Sequence, residues 1–126
     1  MCIKDGVEGY CGTCFEAMPL RGLLHLVILC IVKEESTYGS EIHRKIKEQF
    51  KIDVPKALVY TLLRRMEKRR LVISTWDVRK SGPARRMYTI TEEGLDYLLL
   101  ASKRLRRAIP IIESIVAASE KGAKNI

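Results

Sequence analysis

Residues 20–35, LRGLLHLVILCIVKEE, set the tightest constraint on the fold. The helix this segment would form is apolar on nearly every side, so one flat contact cannot hide it. It must be enclosed by at least two neighbours, one of which can be a second subunit. The run from Leu23 to Val32 is interrupted by His25 and falls well short of the roughly 20 residues that cross a bilayer. It lacks the basic region and cleavage site of a signal peptide. A cytoplasmic protein with no membrane partner is therefore expected. A chain of 126 residues has material for one core, so the later segments must supply the walls around this helix.

The first wall follows a turn expected at residues 36–39. In SEIHRKIKEQF, the side chains of Ile42, Ile46 and Phe50 recur at i, i+4 and i+8, an apolar stripe on an otherwise charged helix. Ser36 or Ser40 is a suitable cap. The next helix is announced by IDVPK, with Asp53 as expected N-terminal cap and Pro55 in the first turn. Val59, Leu62, Leu63 and Met66 then form a core stripe, while Lys56, Tyr60, Thr61, Arg64 and Lys68 lie opposite. Two short helices, the second polar and basic outside, match a helix-turn-helix.

Residues 71–78, LVISTWDV, and the segment from Met87 to Ile90 are rich in β-branched and aromatic residues. Between them RKSGPA is a turn sequence punctuated by Gly82 and Pro83. The reading is an antiparallel hairpin with Arg79, Lys80, Arg85 and Arg86 about its turn, a wing behind the helix-turn-helix. A long helix starts at Thr91, with Thr91 as cap and Glu92 and Glu93 in the first turn. Leu95, Leu98, Ser102, Leu105, Ile109, Ile112 and Val116 repeat by alternating threes and fours, the coiled-coil period, with Ser102 as the weak point. Pro110 is expected to kink or interrupt this helix.

The expected organisation is an irregular extension over residues 1–18, a winged-helix unit over 19–90, a dimerisation helix over 91–119 and a tail over 120–126. In class the fold is mainly α, an α+β winged helix with a two-stranded β wing. More apolar residues lie along the last helix than one thin domain can cover, so Leu95, Leu98, Leu105, Ile109 and Ile112 are expected at a homodimer seam with Leu23 and Leu24.

Charge points to the partner. Residues 38–90 hold fourteen Lys/Arg against five Asp/Glu, whereas residues 1–37 hold three against five and residues 91–126 six against five. The whole excess of +8 therefore arises in the middle segment, which suits a polyanion, nucleic acid above all. A helix fits the major groove of B-DNA, and residues near its start meet base edges. Lys56, Ala57, Tyr60 and Thr61 are accordingly the candidates for reading bases, with Arg64 one turn further on. Ser40 and Lys45 are placed to hold phosphates, and Lys80, Arg85 and Arg86 to lie along the neighbouring minor groove or its phosphates.

From about residue 20 to residue 100 the sequence resembles the PadR family of winged-helix transcriptional regulators. Four pieces carry the resemblance: LRGLLHLVIL, YGSEI, LVYTLLRRMEKRRLV and RRMYTITEEG. It implies a homodimeric DNA-binding protein, usually a repressor, whose C-terminal helix packs on the partner's N-terminal helix. It also implies a small aromatic effector for some members, for which Trp76 and Tyr97 are the aromatic candidates. Three departures stand out. Leu58 replaces a common small hydroxyl residue, Lys68, Arg69 and Arg70 replace a more acidic run ending in glycine, and the N-terminal cysteines lie outside the pattern.

Cys11 and Cys14 form one C-x-x-C pair. A thioredoxin-like motif would follow a strand and open a helix, and this pair precedes a helical domain instead. A metal site would need further ligands, with Cys2 and His25 or the second subunit as sources; a disulfide and a redox-modulated regulator are the other readings. Cys30 is expected to serve as a small hydrophobe, His25 as a satisfied buried histidine and His43 as exposed. Paired carboxylates, a Ser/His/Asp set and a phosphate-binding glycine loop are not apparent, so no enzyme and no cofactor is expected. The alternative to a DNA-binding regulator is a winged helix that binds RNA or protein, which would show as competition against cognate duplex.

Overall fold

The computed structural model describes residues 21–78 and 82–122. A 3-10 turn at Arg21–Leu23 leads into α1, Leu24–Glu34; β1, Thr37–Tyr38, follows, then α2, Gly39–Phe50, and α3, Lys56–Lys68. The hairpin strands are β2, Val72–Asp77, and β3, Arg85–Ile90, and α4 runs over Glu92–Glu120. The winged-helix class expected from the sequence is the one observed.

Helix α1 is the axis of the core. Leu24, Leu26, Val27, Ile28, Leu29, Ile31 and Val32 are all buried, enclosed by α2, α3, β3 and α4 of the same chain. Each such aliphatic side chain removed from water contributes about 1.5–3 kcal/mol, which explains why so short a sequence commits four elements to one helix. The stripes of the surrounding helices point inward as their spacing requires: Ile42 and Ile46 from α2, and Val59, Leu63 and Met66 from α3. Phe50, the third member of the α2 stripe, remains 39% exposed at the helix end.

The turn expected at residues 36–39 is instead the short strand β1 running straight into α2. It pairs antiparallel with β3, Thr37 opposite Tyr88 and Tyr38 opposite Met87. The sheet is therefore three-stranded, in the order β1-β3-β2. The Ser36 hydroxyl caps no helix; it bonds Thr89 Oγ1 at 2.8 Å and ties this strand entry to β3. The first residues of α2 have no side-chain cap.

Helix α3 likewise starts without the expected Asp53 cap. Pro55 occupies the N-cap position in extended conformation, and Leu58 N donates to Pro55 O at 3.1 Å. The turn before it is held by His43, which is half-buried rather than exposed and donates from Nε2 to Val54 O at 2.8 Å. At its other end α3 closes in a Schellman motif: Arg70 N donates to Glu67 O and Leu71 N to Met66 O, at 3.0 and 2.9 Å. Arg70 is then left-handed, with φ of 64°.

The start of α4 forms as the sequence requires. Gly94 N donates to Thr91 Oγ1 at 2.9 Å, and Thr91 N donates to Leu71 O at 3.1 Å, docking the cap on the end of α3. Pro110 does not interrupt the helix, which continues for 29 residues through it. One absent donor is a small loss among so many intact bonds, and the helix is exposed here, so water can serve the carbonyl left without a partner.

Candidate nucleic-acid interface

The core stripe of α3 fixes which side of that helix meets solvent. With Val59, Leu63 and Met66 buried, Lys56, Ala57 and Arg64 face outward and are exposed. Thr61 is half-buried; its hydroxyl donates to Ala57 O at 3.0 Å and lies 3.5 Å from Arg64 Nη2. The hydroxyl proton is thus committed within the helix, leaving its methyl and an oxygen lone pair for a ligand.

Tyr60 has a second duty. Its ring lies so close to Gly39 that a Cβ there would sit 2.4 Å from Tyr60 Cε1. Gly39 opens α2, so this contact sets how closely the two helices of the helix-turn-helix approach. Ser40, the next residue, and Lys45 are both half-buried on α2. Arg44 on the same helix is clamped between Glu41 and Glu48, with Nη1 2.7 Å from Glu48 Oε1. The pair with Arg44 holds the Glu41 carboxyl below the usual carboxylate range. That cation is largely neutralised for a polyanion, and sequence charge alone gave no means of setting it aside.

The wing supplies the second set of cations. Arg85 places its guanidinium 3.9 Å from the centroid of the Tyr38 ring, and Arg86 lies 4.5 Å over Trp76. Arg86 Nη1 also donates to Ser74 Oγ at 2.7 Å, and Ser74 Oγ donates to Glu67 Oε2 at 2.7 Å. This chain of contacts joins β3, β2 and α3 and pre-orients Arg86, while Arg85 is held separately by its stacking on Tyr38 of β1. Sequence reasoning missed the roles of Tyr38, Ser74 and Glu67. The available signal was hairpin register, since Trp76 stands directly opposite Arg86 and Asp77 opposite Arg85. Lys80 and Arg79 lie outside the described residues, as do Cys2, Cys11 and Cys14.

The residues expected at a subunit seam divide. Leu24 is 1% exposed and Leu98 9%; both pack in the core of their own chain. Leu23 and Leu95 are half-buried, while Leu105, Ile109 and Ile112 are exposed. A groove of about 420 Å³ runs along α1 and α4, lined by Leu23, Leu26, Val27, Cys30, Phe50, Ile52, Leu98, Ser102 and Leu105. Its apolar wall raises the pKa of the half-buried Cys30 thiol, mainly through burial.

Trp76 and Tyr97 do not share a surface. Trp76 is 61% exposed on the wing. Tyr97 lines a cleft of about 270 Å³ with His25, Leu62, Arg65, Met66 and Arg69. Its hydroxyl is 2.8 Å from His25 Nε2, so this histidine has its partner within the chain as expected, but it is half-buried rather than buried. Burial, reinforced by the Arg69 cation, holds the His25 pKa below its ordinary value. Among the described residues no group of His, Cys, Asp and Glu side chains is arranged to hold a metal ion, and no helix is long and apolar enough to cross a membrane.

Comparison with known proteins matches residues 28–99 to the model of the transcriptional regulator PadR-like family. A putative transcriptional regulator of Thermoplasma acidophilum is 31% identical, with a TM-score of 0.71 over 78% of this chain and 94% of that one. A PadR-like transcriptional regulator of Bacillus cereus is also 31% identical, with a TM-score of 0.60 over 82% and 96%. Bacillus subtilis PadR, solved in complex with operator DNA, shares the fold at 19% identity and a TM-score of 0.56, over 60% of this chain and 44% of that one.

Proposed function

Because the chain belongs to the PadR-like family of transcriptional regulators, we propose that it is a homodimeric repressor of a pseudo-palindromic operator. The family consists of DNA-binding regulators and not of enzymes. The observation that carries the reading is the exposed ridge of Lys56, Ala57 and Arg64 on α3, flanked by the pre-oriented Arg85 and Arg86. In this reading the start of α3 meets base edges, with Lys56, Ala57, Tyr60 and Thr61 as the reading set. Tyr60 is limited to its outer edge, because its ring already packs on Gly39. Arg64 reaches a base or phosphate, Ser40 and Lys45 fix the register on the backbone, and Lys80, Arg85 and Arg86 follow the minor groove.

Two copies supply the two-fold symmetry. Leu105, Ile109 and Ile112 of α4 are the side chains available to enter the apolar groove between α1 and α4 of the partner, with Leu23 on the rim. Half-sites about 34 Å apart would then match one turn of B-DNA. A small aromatic effector, which the family resemblance implies for some members, would be placed in the cleft beside Tyr97, without Trp76.

The test is anisotropy titration of the duplex upstream of the chain's own gene against random duplex at several salt concentrations. The expected result is tighter binding of the first, with log affinity falling by about 0.9 per phosphate contact for each decade of salt. Equal affinity for both duplexes refutes sequence-specific recognition, and a flat salt response refutes phosphate contact. Light scattering on dilution tests the dimer, and Ile109→Glu with Ile112→Glu is expected to shift it to monomer.

A further inference from the structure

We propose that Trp76 is itself a DNA-contacting residue, its indole packing on the sugar–phosphate wall of the groove beside the wing with Arg86 stacked against it. The inference rests on the DNA-binding reading above and extends it to a side chain outside the basic set.

The face on which Trp76 lies carries the argument. Along β2, Val72, Ser74 and Trp76 alternate onto one side of the hairpin. Val72 is fully buried, Ser74 bonds Glu67 of α3, and Trp76 comes next toward the tip. Across the ladder, Tyr88 stands opposite Ser74 and Arg86 opposite Trp76. Arg86 Nη1 bonds Ser74 Oγ, which in turn bonds Glu67, so this side of the hairpin is the one turned toward α3. Trp76 is therefore on the α3 side of the hairpin, beside Arg86, where a backbone strand passing from the major to the minor groove would lie.

An indole 61% exposed at such a point is, among the described residues, a large apolar surface covered only in part, by the stacked Arg86. Most of the other exposed apolar side chains, such as Leu105, Ile109 and Ile112, lie along α4, with Ile73 and Val78 on the hairpin and Phe50 at the end of α2, so a subunit seam on α4 does not account for Trp76. Its surroundings are cationic, which excludes a basic partner and favours a polyanion. Deoxyribose offers C–H surface to the ring, and the adjacent phosphate offers an acceptor to the indole N–H. The stacked Arg86 keeps the ring in one orientation and brings its own charge to the same strand. Contact of this kind adds affinity without reading sequence.

The chain has a single tryptophan, so its intrinsic fluorescence reports on Trp76 alone. Unlabelled duplex is titrated while tryptophan emission and acrylamide quenching are read, and labelled duplex gives the binding isotherm by anisotropy. Emission is expected to change along that isotherm, and quenching by acrylamide to fall in the complex. Trp76→Ala is expected to weaken binding roughly tenfold, equally for operator and random duplex, with Trp76→Phe recovering most of the loss. Binding by anisotropy with emission, quenching and the affinity of Trp76→Ala all unchanged overturns the proposal and leaves the DNA-binding reading standing. Reduced affinity of Trp76→Ala without protection from acrylamide makes the ring only a support for Arg86, and also overturns it. A blue shift on concentrating the protein without DNA assigns the ring to a subunit contact instead. Absence of binding to any duplex overturns both readings.

Discussion

Replacing Gly94 by alanine should destabilise the fold, although a glycine inside an exposed helix usually gains from that change. Helix propensity alone would favour alanine by about 1 kcal/mol. Here a Cβ would lie 2.2 Å from Leu71 O and 2.8 Å from Ile90 Cγ1. The first contact is the decisive one, because it is with backbone and cannot be relieved by a rotamer. Leu71 O also accepts from Thr91 N at 3.1 Å, and the Thr91 hydroxyl is shared between Leu71 O and Arg70 O, at 3.0 and 2.7 Å. Pushing α4 away must strain the packing, at about 1–3 kcal/mol. It also weakens the two hydrogen bonds to Leu71 O, at about 1 kcal/mol each. Set against the propensity gain, the net loss is about 2–4 kcal/mol, a large share of a domain's marginal stability. Urea unfolding followed by circular dichroism, at fixed protein concentration, measures it as a lowered midpoint with unchanged slope. A midpoint equal to or above that of the parent would refute the close approach of α4 to the end of α3.

Arg70→Gly should act in the opposite direction. Arg70 holds a left-handed φ of 64°, and relieving it, net of the added freedom of glycine in the unfolded chain, should raise stability by about 0.5–1 kcal/mol; an unchanged or lower urea midpoint counts against it. His25 makes stability depend on pH. Its pKa is lowered in the fold, so below the ordinary value of about 6.5 the unfolded chain binds more protons, and stability is lost as pH falls toward the folded-state pKa. His25→Gln should flatten that part of a midpoint-against-pH curve, and an identical curve would contradict the assignment. The Cys30 thiol, raised by burial, should alkylate at neutral pH more slowly than a free thiol and accelerate on raising the pH. Peptide-resolved mass spectrometry reads this directly, and a rate matching a small free thiol refutes it.

The parts of the fold that were legible in the sequence are those fixed by local chemistry. The apolar run of α1 demands enclosure, the i, i+3, i+4 and i+7 spacing in α3 orients that helix, and Thr91 with its two following glutamates caps α4. The parts that were not legible depend on partners distant in the chain. Strand β1 has two residues and exists only because β3 presents a free edge to it. Leu24 and Leu105 are indistinguishable by periodicity, yet one closes its own core and the other faces outward. The place of Trp76 likewise depends on register: a hydrophobic alternation assigns it to a core face, which in β2 runs out of core before it reaches residue 76.

The same distinction decides how the basic charge should be understood. Fourteen Lys/Arg in residues 38–90 define a polyanion-binding segment, but a phosphate meets individual cations in fixed orientations. Arg44 is occupied by Glu41 and Glu48, so its removal should hardly alter a salt slope. Lys56 and Arg64 are exposed on one ridge, while Arg85 and Arg86 are stacked on Tyr38 and Trp76. Stacking leaves each of these arginines its charge while restricting where the charge can be, which lowers the entropy lost when a phosphate is bound. The two aromatic rings are therefore part of the electrostatics of the wing. They convert cations that any basic loop would possess into cations held in set places, Arg86 tied through Ser74 to Glu67 of α3 and Arg85 seated on Tyr38 of β1.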